Sequence, residues 1–378
     1  MTSRSPDGAA TGEDVDRLSR RERLRLRLST LAWFFLLAGM GLSLPVLLDI
    51  GWWAPPALAL ISIAAAAPIA WVLRRVLRGA GRDRWRTVWL KAATILFSTL
   101  SVLAAAPIYY LAINSALRPM TVPLATLSDG RKTVVFQGMT HVGSESFYKS
   151  VVYDLEQALT QGYVIFYEGV QDDPEGDAWF ARTMAGGGDL SATYAAFGRA
   201  CGLQFQLDYF TLLDADKAEH PERHVAADVS TADMKREYER LVRTDPAFAA
   251  FARDRDAVAA DAQDSASARL ARVFGWLDHT TPGQKALIGA ACRGIMNRQL
   301  ASGEGDTPIN AVVLDFRNRA LARRIVESPS DRIYVTYGAG HLPGLLEAFK
   351  ALDPAWEVKS VKWARTIAPP ENLKGHLP

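Results

Sequence analysis

The sequence contains no C-x-x-C, no Walker motif, no G-x-S-x-G and no H-E-x-x-H, so nucleotide, serine-hydrolase and zincin readings have no anchor in it. Cysteine is scarce: Cys201 and Cys292 are the only two. Their apolar neighbours favour buried free thiols, although a disulfide would be chemically allowed outside the cytoplasm. The part from Arg118 onward has no Lys/Arg stripe and carries 29 basic against 34 acidic residues, a net of −5. Nucleic-acid binding draws most of its free energy from neutralised phosphates, so a nucleic-acid partner is excluded.

Charge is also missing from three long runs, Ser29–Leu48, Ile50–Leu73 and Ala92–Leu117, of 20, 24 and 26 residues. A bilayer core about 30 Å thick needs about 20 helical residues. A buried helix of a soluble protein seldom stays uncharged on every face for that length. The runs are read as three transmembrane helices, with Pro45, Pro68 and Pro107 as tolerated kinks. Residues 1–28 form a basic tail, its first 16 positions reading as disordered, and 29–117 form a membrane domain whose partner is the lipid bilayer. The first span is too long for a cleaved signal peptide and lacks a small-residue cleavage site.

Cations set the orientation. Arg17, Arg20, Arg21, Arg23, Arg25 and Arg27 precede the first span, and Arg74, Arg75, Arg78, Arg82, Arg84, Arg86 and Lys91 lie between the second and third. By the positive-inside rule both segments are cytoplasmic, and the third span carries residues 118–378 to the other side of the inner membrane. Trp52, Trp53, Trp85, Trp89, Tyr109 and Tyr110 near the span ends suit interfacial anchors.

From Arg118 the pattern changes to an α/β domain. Thr133–Gln137 and Tyr163–Tyr167 read as buried strands. Between them, Phe147, Val151, Val152, Leu155 and Leu159 trace a helical stripe after Ser144 and Ser146. Near the other end, Arg317–Val326 and Leu345–Leu352 read as helices, and Arg332–Tyr337 and Trp356–Trp363 as strands. The middle, 189–301, reads as a helical insertion, with a strand-like exception at Leu203–Leu207. Alternating strands and helices predict a mixed or mostly parallel sheet covered on its faces.

Two histidines share a local pattern: Gly138-Met-Thr-His141-Val-Gly143 and Gly338-Ala-Gly-His341-Leu-Pro-Gly344. Each histidine follows by three residues a glycine that ends a strand, and Glu168 follows the second strand directly. Loops leaving the carboxyl ends of parallel strands gather at one edge, where ligands usually bind. His141, Glu168 and His341 are therefore the candidate catalytic and metal-binding set, suited to a divalent cation such as Mn, Co or Zn or to acid–base work on water. Arg317 either lies on a solvated cationic helix face with Arg319, Arg323 and Arg324, or turns inward to pair with Glu168. His224 and Asp228 are a weaker pair, with Ser230 or Thr231 as the following N-cap. His220, His279 and His376 read as surface residues, and Gly186-Gly187-Gly188 as a loop.

The string VVFQGMTHVGSESFYKSVVYDLEQALTQGYVIFYEGV, with DFRNRALARRIVE and IYVTYGAGHLPGLLE, resembles the motifs of the TraB/PrgY/GumN/Tiki superfamily over roughly residues 131–363. That resemblance implies a fold related to erythromycin-esterase and ChaN-like proteins, and a metal-dependent peptidase activity as in the Tiki branch. By position it implies catalytic or metal roles for His141, Glu168 and His341, and makes Arg317 a polar member of the site. The chain departs from the family where Tyr167 and Gly169 flank Glu168 without a second acidic residue, and in having three spans rather than one anchor. The leading expectation is a membrane-anchored, metal-dependent hydrolase acting on a peptide or protein. A non-catalytic factor that sequesters a peptide or signal, and a metal-free esterase-like enzyme with a histidine base, are the alternatives.

Reporters fused after Gly79 and after Pro378 are expected to report opposite compartments. Matching signals from the two fusions would overturn the orientation.

Overall fold

The computed structural model describes residues 19–48, 51–76, 85–184, 190–255, 281, 284, 288–289, 291–296 and 307–367. Residues 1–18 of the N-terminal tail, the middle of the Arg-rich loop, Gly186-Gly187-Gly188, His279 and His376 lie outside them. The chain divides into two compact units, Met1–Tyr110 and Leu111–Pro378.

The first unit is built on α1 (Arg20–Leu48) and α2 (Ala54–Val76), with most of α3 (Trp85–Leu117). All three are long and apolar enough to cross a membrane. Their surfaces invert the soluble pattern: Phe34, Phe35, Leu60, Ile61 and Ile95 are exposed, whereas Ala66, Ala70, Ala93 and Ala105 are buried. Small residues inside and large apolar ones outside are what lipid-facing helices need, because close backbone approach and dispersion replace the hydrophobic drive between them. Gly41 illustrates this, since a Cβ there would stand 3.2 Å from the ring of Phe97. Trp89 donates its indole N–H to the Ile63 carbonyl at 2.8 Å, a side-chain link between α3 and α2.

The second unit is an α/β domain around a six-stranded sheet of order β6-β4-β7-β2-β1-β8. Its strands are β1 (Thr121–Ser128), β2 (Thr133–Met139), β4 (Val164–Tyr167), β6 (His224–Ala226), β7 (Arg332–Gly338) and β8 (Glu357–Arg365). A separate two-stranded ladder pairs β3 (Val142–Gly143) with β5 (Gln204–Phe205). Strands β2, β7, β4 and β6 run parallel to one another, while β1 is antiparallel to both β2 and β8.

Residue alternation explains how both sheet faces are covered. On β7, Ile333, Val335 and Tyr337 enter one core with Leu321 and Ile325 of α10 (Arg317–Glu327) and Leu345 and Phe349 of α11 (His341–Leu352). Tyr334, between them in sequence, faces the opposite core with Val151, Val152 and Leu155 of α4 (Glu145–Thr160). Period-two strands between helices on both sides are the reason these segments read as continuous apolar runs. Each fully buried Leu, Ile or Val contributes roughly 1.5–3 kcal/mol.

The expected elements return with modest changes. The last helix begins at His341 rather than Leu345. Ser230 caps α9 (Thr231–Thr244) in a reciprocal capping box with Asp233. Ser144 takes the N-cap position of α4 without a side-chain cap bond. The middle segment, expected to be a helical insertion, supplies α6 (Leu190–Ala200), α7 (Leu207–Phe210), α8 (Asp214–Glu219) and α9 after the short α5 (Asp177–Thr183). It also supplies β6, a strand of the main sheet, so it is not purely a cover. Three residues are too few for a periodic signal, and β6 is held by its ladder to β4 rather than by local pattern. Cys201 and Cys292 are free thiols, packed in one small apolar cluster with Leu203 and Met296.

Candidate functional site

The parallel order of β6, β4, β7 and β2 puts the ends of four strands at one edge, and each is followed by a polar residue of interest. Strand β4 ends at Tyr167 and is followed by Glu168. Strand β6 ends at Ala226, two residues before Asp228. Strand β7 ends at Gly338, three residues before His341, and β2 ends at Met139, two residues before His141. Gly138 and Gly338 are constrained differently. A Cβ on Gly138 would meet Pro123 Cδ at 2.9 Å, whereas one on Gly338 would make only ordinary contacts, 3.4 Å from Glu168 Oε2.

Arg317, the first residue of α10, turns inward and is 6% exposed. Its Nη2 donates to Glu168 Oε1 at 2.7 Å and to Asp228 Oδ2 at 2.5 Å, and its Nε donates to Asp228 Oδ1 at 2.9 Å. The pairing with Asp228 is two-pronged, the geometry for which a planar guanidinium is suited. Nη1 donates to the Val313 carbonyl at 3.3 Å, within the π-helical turn Ala311–Phe316 that leads into α10.

Asp228 is fully buried and also accepts the backbone N–H groups of Val229 at 2.8 Å and Gly169 at 3.2 Å. Glu168 accepts the Gly338 N–H on Oε2 at 2.6 Å. Its own N–H donates to the Thr336 carbonyl at 2.9 Å. Burial raises the Glu168 carboxyl pKa, but the charge of Arg317, the nearby His341 and the hydrogen bonds outweigh it, and the net lies below the ordinary carboxylate value. Arg317 is held even more firmly as a cation, because its carboxylate partners overcome the cost of burial.

His341 is 4% exposed. Its Nδ1–H donates to Asn318 Oδ1 at 2.8 Å, which leaves Nε2 as the acceptor, 3.4 Å from Arg317 Nη1 and 3.9 Å from Glu168 Oε1. Burial first, then the charge of Arg317, push its pKa down to about 4 against the opposing pull of the carboxylates. The ring is therefore neutral at physiological pH. Its place in the first turn of α11 acts in the same direction, since the positive end of a helix dipole disfavours an imidazolium. Gly344 makes room for the supporting residue, because a Cβ there would stand 2.4 Å from Asn318 Nδ2. Tyr337 closes the floor: its hydroxyl donates to the Ala227 carbonyl at 2.6 Å, and its ring meets His341 edge-on, the centroids 5.2 Å apart.

Of the residues singled out by sequence, Glu168, Arg317 and His341 thus share one network, and Asp228 is its most buried member. His141 stands on the neighbouring loop with contacts of its own. Its ring stacks on Tyr194 at 4.3 Å between centroids, and its Nδ1 lies 3.1 Å from Gln206 Nε2. His224 pairs instead with Asp216, its Nε2 2.6 Å from Asp216 Oδ2. Asn318 and Tyr337 were not anticipated, for Asn318 is a lone polar residue beside an arginine and Tyr337 reads as ordinary strand.

The set expected to hold a divalent metal was His141, Glu168 and His341. In this arrangement the guanidinium of Arg317 contacts both Glu168 Oε1 and His341 Nε2. Among the described residues no three His, Cys, Asp or Glu side chains gather as a donor set. His141, Glu168 and His341 are thus not assembled as one donor set, and Glu168 and His341 are bridged by the guanidinium instead.

Glu168 opens onto a cavity of about 360 Å³ on the α4 side of the sheet, with Met139, Leu155, Ile165, Gln206, Leu213 and Lys217 among its walls. The carboxylate is 23% exposed, so it remains able to accept one more hydrogen bond from that side. No family model, curated protein or solved structure matches the chain.

Two outcomes test the network. The unfolded chain protonates His341 near 6.5 and the folded one only near 4, so folding stability is fully present above about 6.5 and falls by roughly 3 kcal/mol as pH drops through 4. Chemical denaturation of the full chain in detergent should show this slope, and His341→Gln should flatten it; identical slopes would break the assignment. Arg317→Met strands two buried carboxylates and is expected to cost about 3–5 kcal/mol in the same measurement. A loss below about 1 kcal/mol would mean that water already screens the cluster.

Proposed function

We propose that this chain is a membrane-anchored hydrolase of the TraB/PrgY/GumN/Tiki kind, its α/β domain outside the cytoplasm, cleaving a peptide bond or a related acyl bond. The observation that carries the reading is Glu168, an ionised carboxylate fixed on two sides by Arg317 Nη2 and the Gly338 N–H while its remaining face meets a cavity. A purely structural ion pair has no need of that open face, whereas a base that must reach a water does.

In this reading Glu168 accepts a proton from a water in the cavity as the water oxygen attacks the substrate carbonyl carbon. The proton then passes to the leaving nitrogen or oxygen as its bond to carbon breaks. Arg317 keeps Glu168 oriented and, when the carboxyl is neutral, retains Asp228 as its counter-ion. His341 is neutral and offers Nε2 3.9 Å from Glu168 Oε1, close enough to share the proton after a small shift. His141, linked to the cavity through Gln206, is positioned to assist the carbonyl or the leaving group. The long charge-free runs within the helices of the first unit support attachment to a bilayer, and the Arg-rich flanks support the orientation.

The test is turnover of a pooled set of peptide amides and acyl esters by the full chain in lipid nanodiscs. Glu168→Gln should lower kcat by about 10²–10⁴-fold while leaving the denaturation midpoint near that of the parent. Exhaustive chelation should leave activity intact, and Mn, Co, Zn and Fe should be absent in stoichiometric amount. Full activity in Glu168→Gln would end the proposal, and loss of activity on chelation would return a metal to the site.

A further inference from the structure

The cavity beside Glu168 is graded from bottom to rim. Leu155, Ile165, Met139 and Leu213 are buried side chains in its wall and belong to the core between α4 and the sheet. At the other end Leu207, Thr211, Asp214 and Lys217 are exposed. Lys217 Nζ lies over the ring of Tyr167, 5.0 Å from its centroid, and Gln206 connects the rim to His141. Glu168 is the ionised group that combines contact with the cavity and membership of the buried network.

A deep apolar end beneath a polar rim is the shape of a side-chain pocket. Binding sites of this kind are lined by apolar groups, with a few placed polar atoms fixing orientation. The volume of about 360 Å³ takes a group of aromatic or branched aliphatic size and leaves unused space around a methyl group. Water in the apolar end would lack hydrogen-bond partners, so an apolar group displaces it favourably.

We infer that this cavity binds a large apolar group attached directly to the carbonyl compound handled at Glu168, making it the specificity pocket of the site. The ligand is an amide or ester with a bulky apolar substituent, its polar portion at the rim near Glu168 and Gln206. The inference deepens the proposed hydrolase reading by naming its substrate class, and its test reads binding rather than turnover. The same chemistry is found in a peptide side chain and in a fatty acyl chain, and the probes separate these two.

N-acetyl-phenylalanine amide, N-acetyl-alanine amide and octanamide would be compared by saturation-transfer NMR on the full chain in nanodiscs, with empty nanodiscs subtracted. The phenylalanine amide should bind at least about tenfold tighter than the alanine amide, as expected for burying the extra apolar area. Leu213→Trp fills the deep end and should abolish that preference. Thr211→Trp, at an exposed position where folding is not threatened, should cover the mouth and weaken binding of the bulky probes. Stronger binding of octanamide than of the phenylalanine amide would assign the pocket to an acyl chain, and the reverse to a peptide side chain. Equal affinity for all three amides, or binding indifferent to both tryptophan variants, overturns the inference. Selective binding without hydrolysis of any amide or ester upholds the pocket and removes the hydrolase reading.

Discussion

The α/β unit is organised around one guanidinium placed between two carboxylates. Arg317 reaches Glu168 after β4 and Asp228 after β6, and Nη1 also meets His341 at the head of α11. One side chain therefore ties together the ends of two neighbouring strands and the first turns of two helices. Taking three charges out of water costs several kcal/mol each, and their mutual attraction recovers this only with near-complete hydrogen bonding. That condition is met here, because Asp228 also accepts two backbone N–H groups and Glu168 one. Such a network adds little net stability over a well-packed apolar core. What it supplies is position: Glu168 is held by Arg317 and the Gly338 N–H while one face stays open.

Topology makes the meeting possible. Residues 168, 228, 317 and 341 are far apart in sequence, yet a parallel ladder places successive strand ends side by side. The crossover from β2 through α4 to β4 leaves a space that β7 fills, so the parallel strand latest in the chain lies between them. Glycine at 344 then allows Asn318 of α10 to sit against α11 and hold His341 Nδ1. Burial keeps the imidazole neutral, and the same Arg317 that keeps Glu168 charged adds to that effect, so one cation favours opposite protonation states on two adjacent groups.

Much of this arrangement could be read from residue pattern, and the limits have physical causes. The strands β2, β4 and β7 are covered on both faces, so each is an uninterrupted apolar run followed by glycine or glutamate. Strand β1 was hidden by Pro123, which usually argues against an interior strand, although the antiparallel ladders to β2 and β8 accommodate it. Three strand ends advertised their polar residues through glycine spacing or an abrupt change from apolar to acidic. Asp228 follows a three-residue strand and two alanines, so nothing local marked it as the most buried charge. Arg317 sits among three other arginines, and only the three-dimensional arrangement separates it from Arg319, whose half-exposed side chain meets Glu237 of α9. The matching glycine motifs of His141 and His341 pointed to equivalent roles. Their loops are indeed adjacent, with the Ala339 N–H donating to the Met139 carbonyl. The rings nevertheless take different partners, because α6 brings Tyr194 over His141 and α10 brings Asn318 to His341.

A carboxylate held ionised by an arginine is a weak base while the cavity is full of water, and this bears on how the site could work. Glu168 is kept below the ordinary carboxylate range by Arg317 against a desolvation already large enough to raise it. Arg317 is shared, with two of its three contacts to carboxylate oxygens made to Asp228 and one to Glu168. On the reading proposed above, filling the apolar end of the cavity with a substrate group would remove the solvent that still reaches Glu168 and so raise its proton affinity. Asp228 stays fixed by its backbone donors and keeps the guanidinium neutralised whichever state Glu168 adopts. The two carboxylates thus divide the work that neither could do alone: the buried one anchors the cation, and the partly exposed one is left free to change its charge when the cavity is occupied.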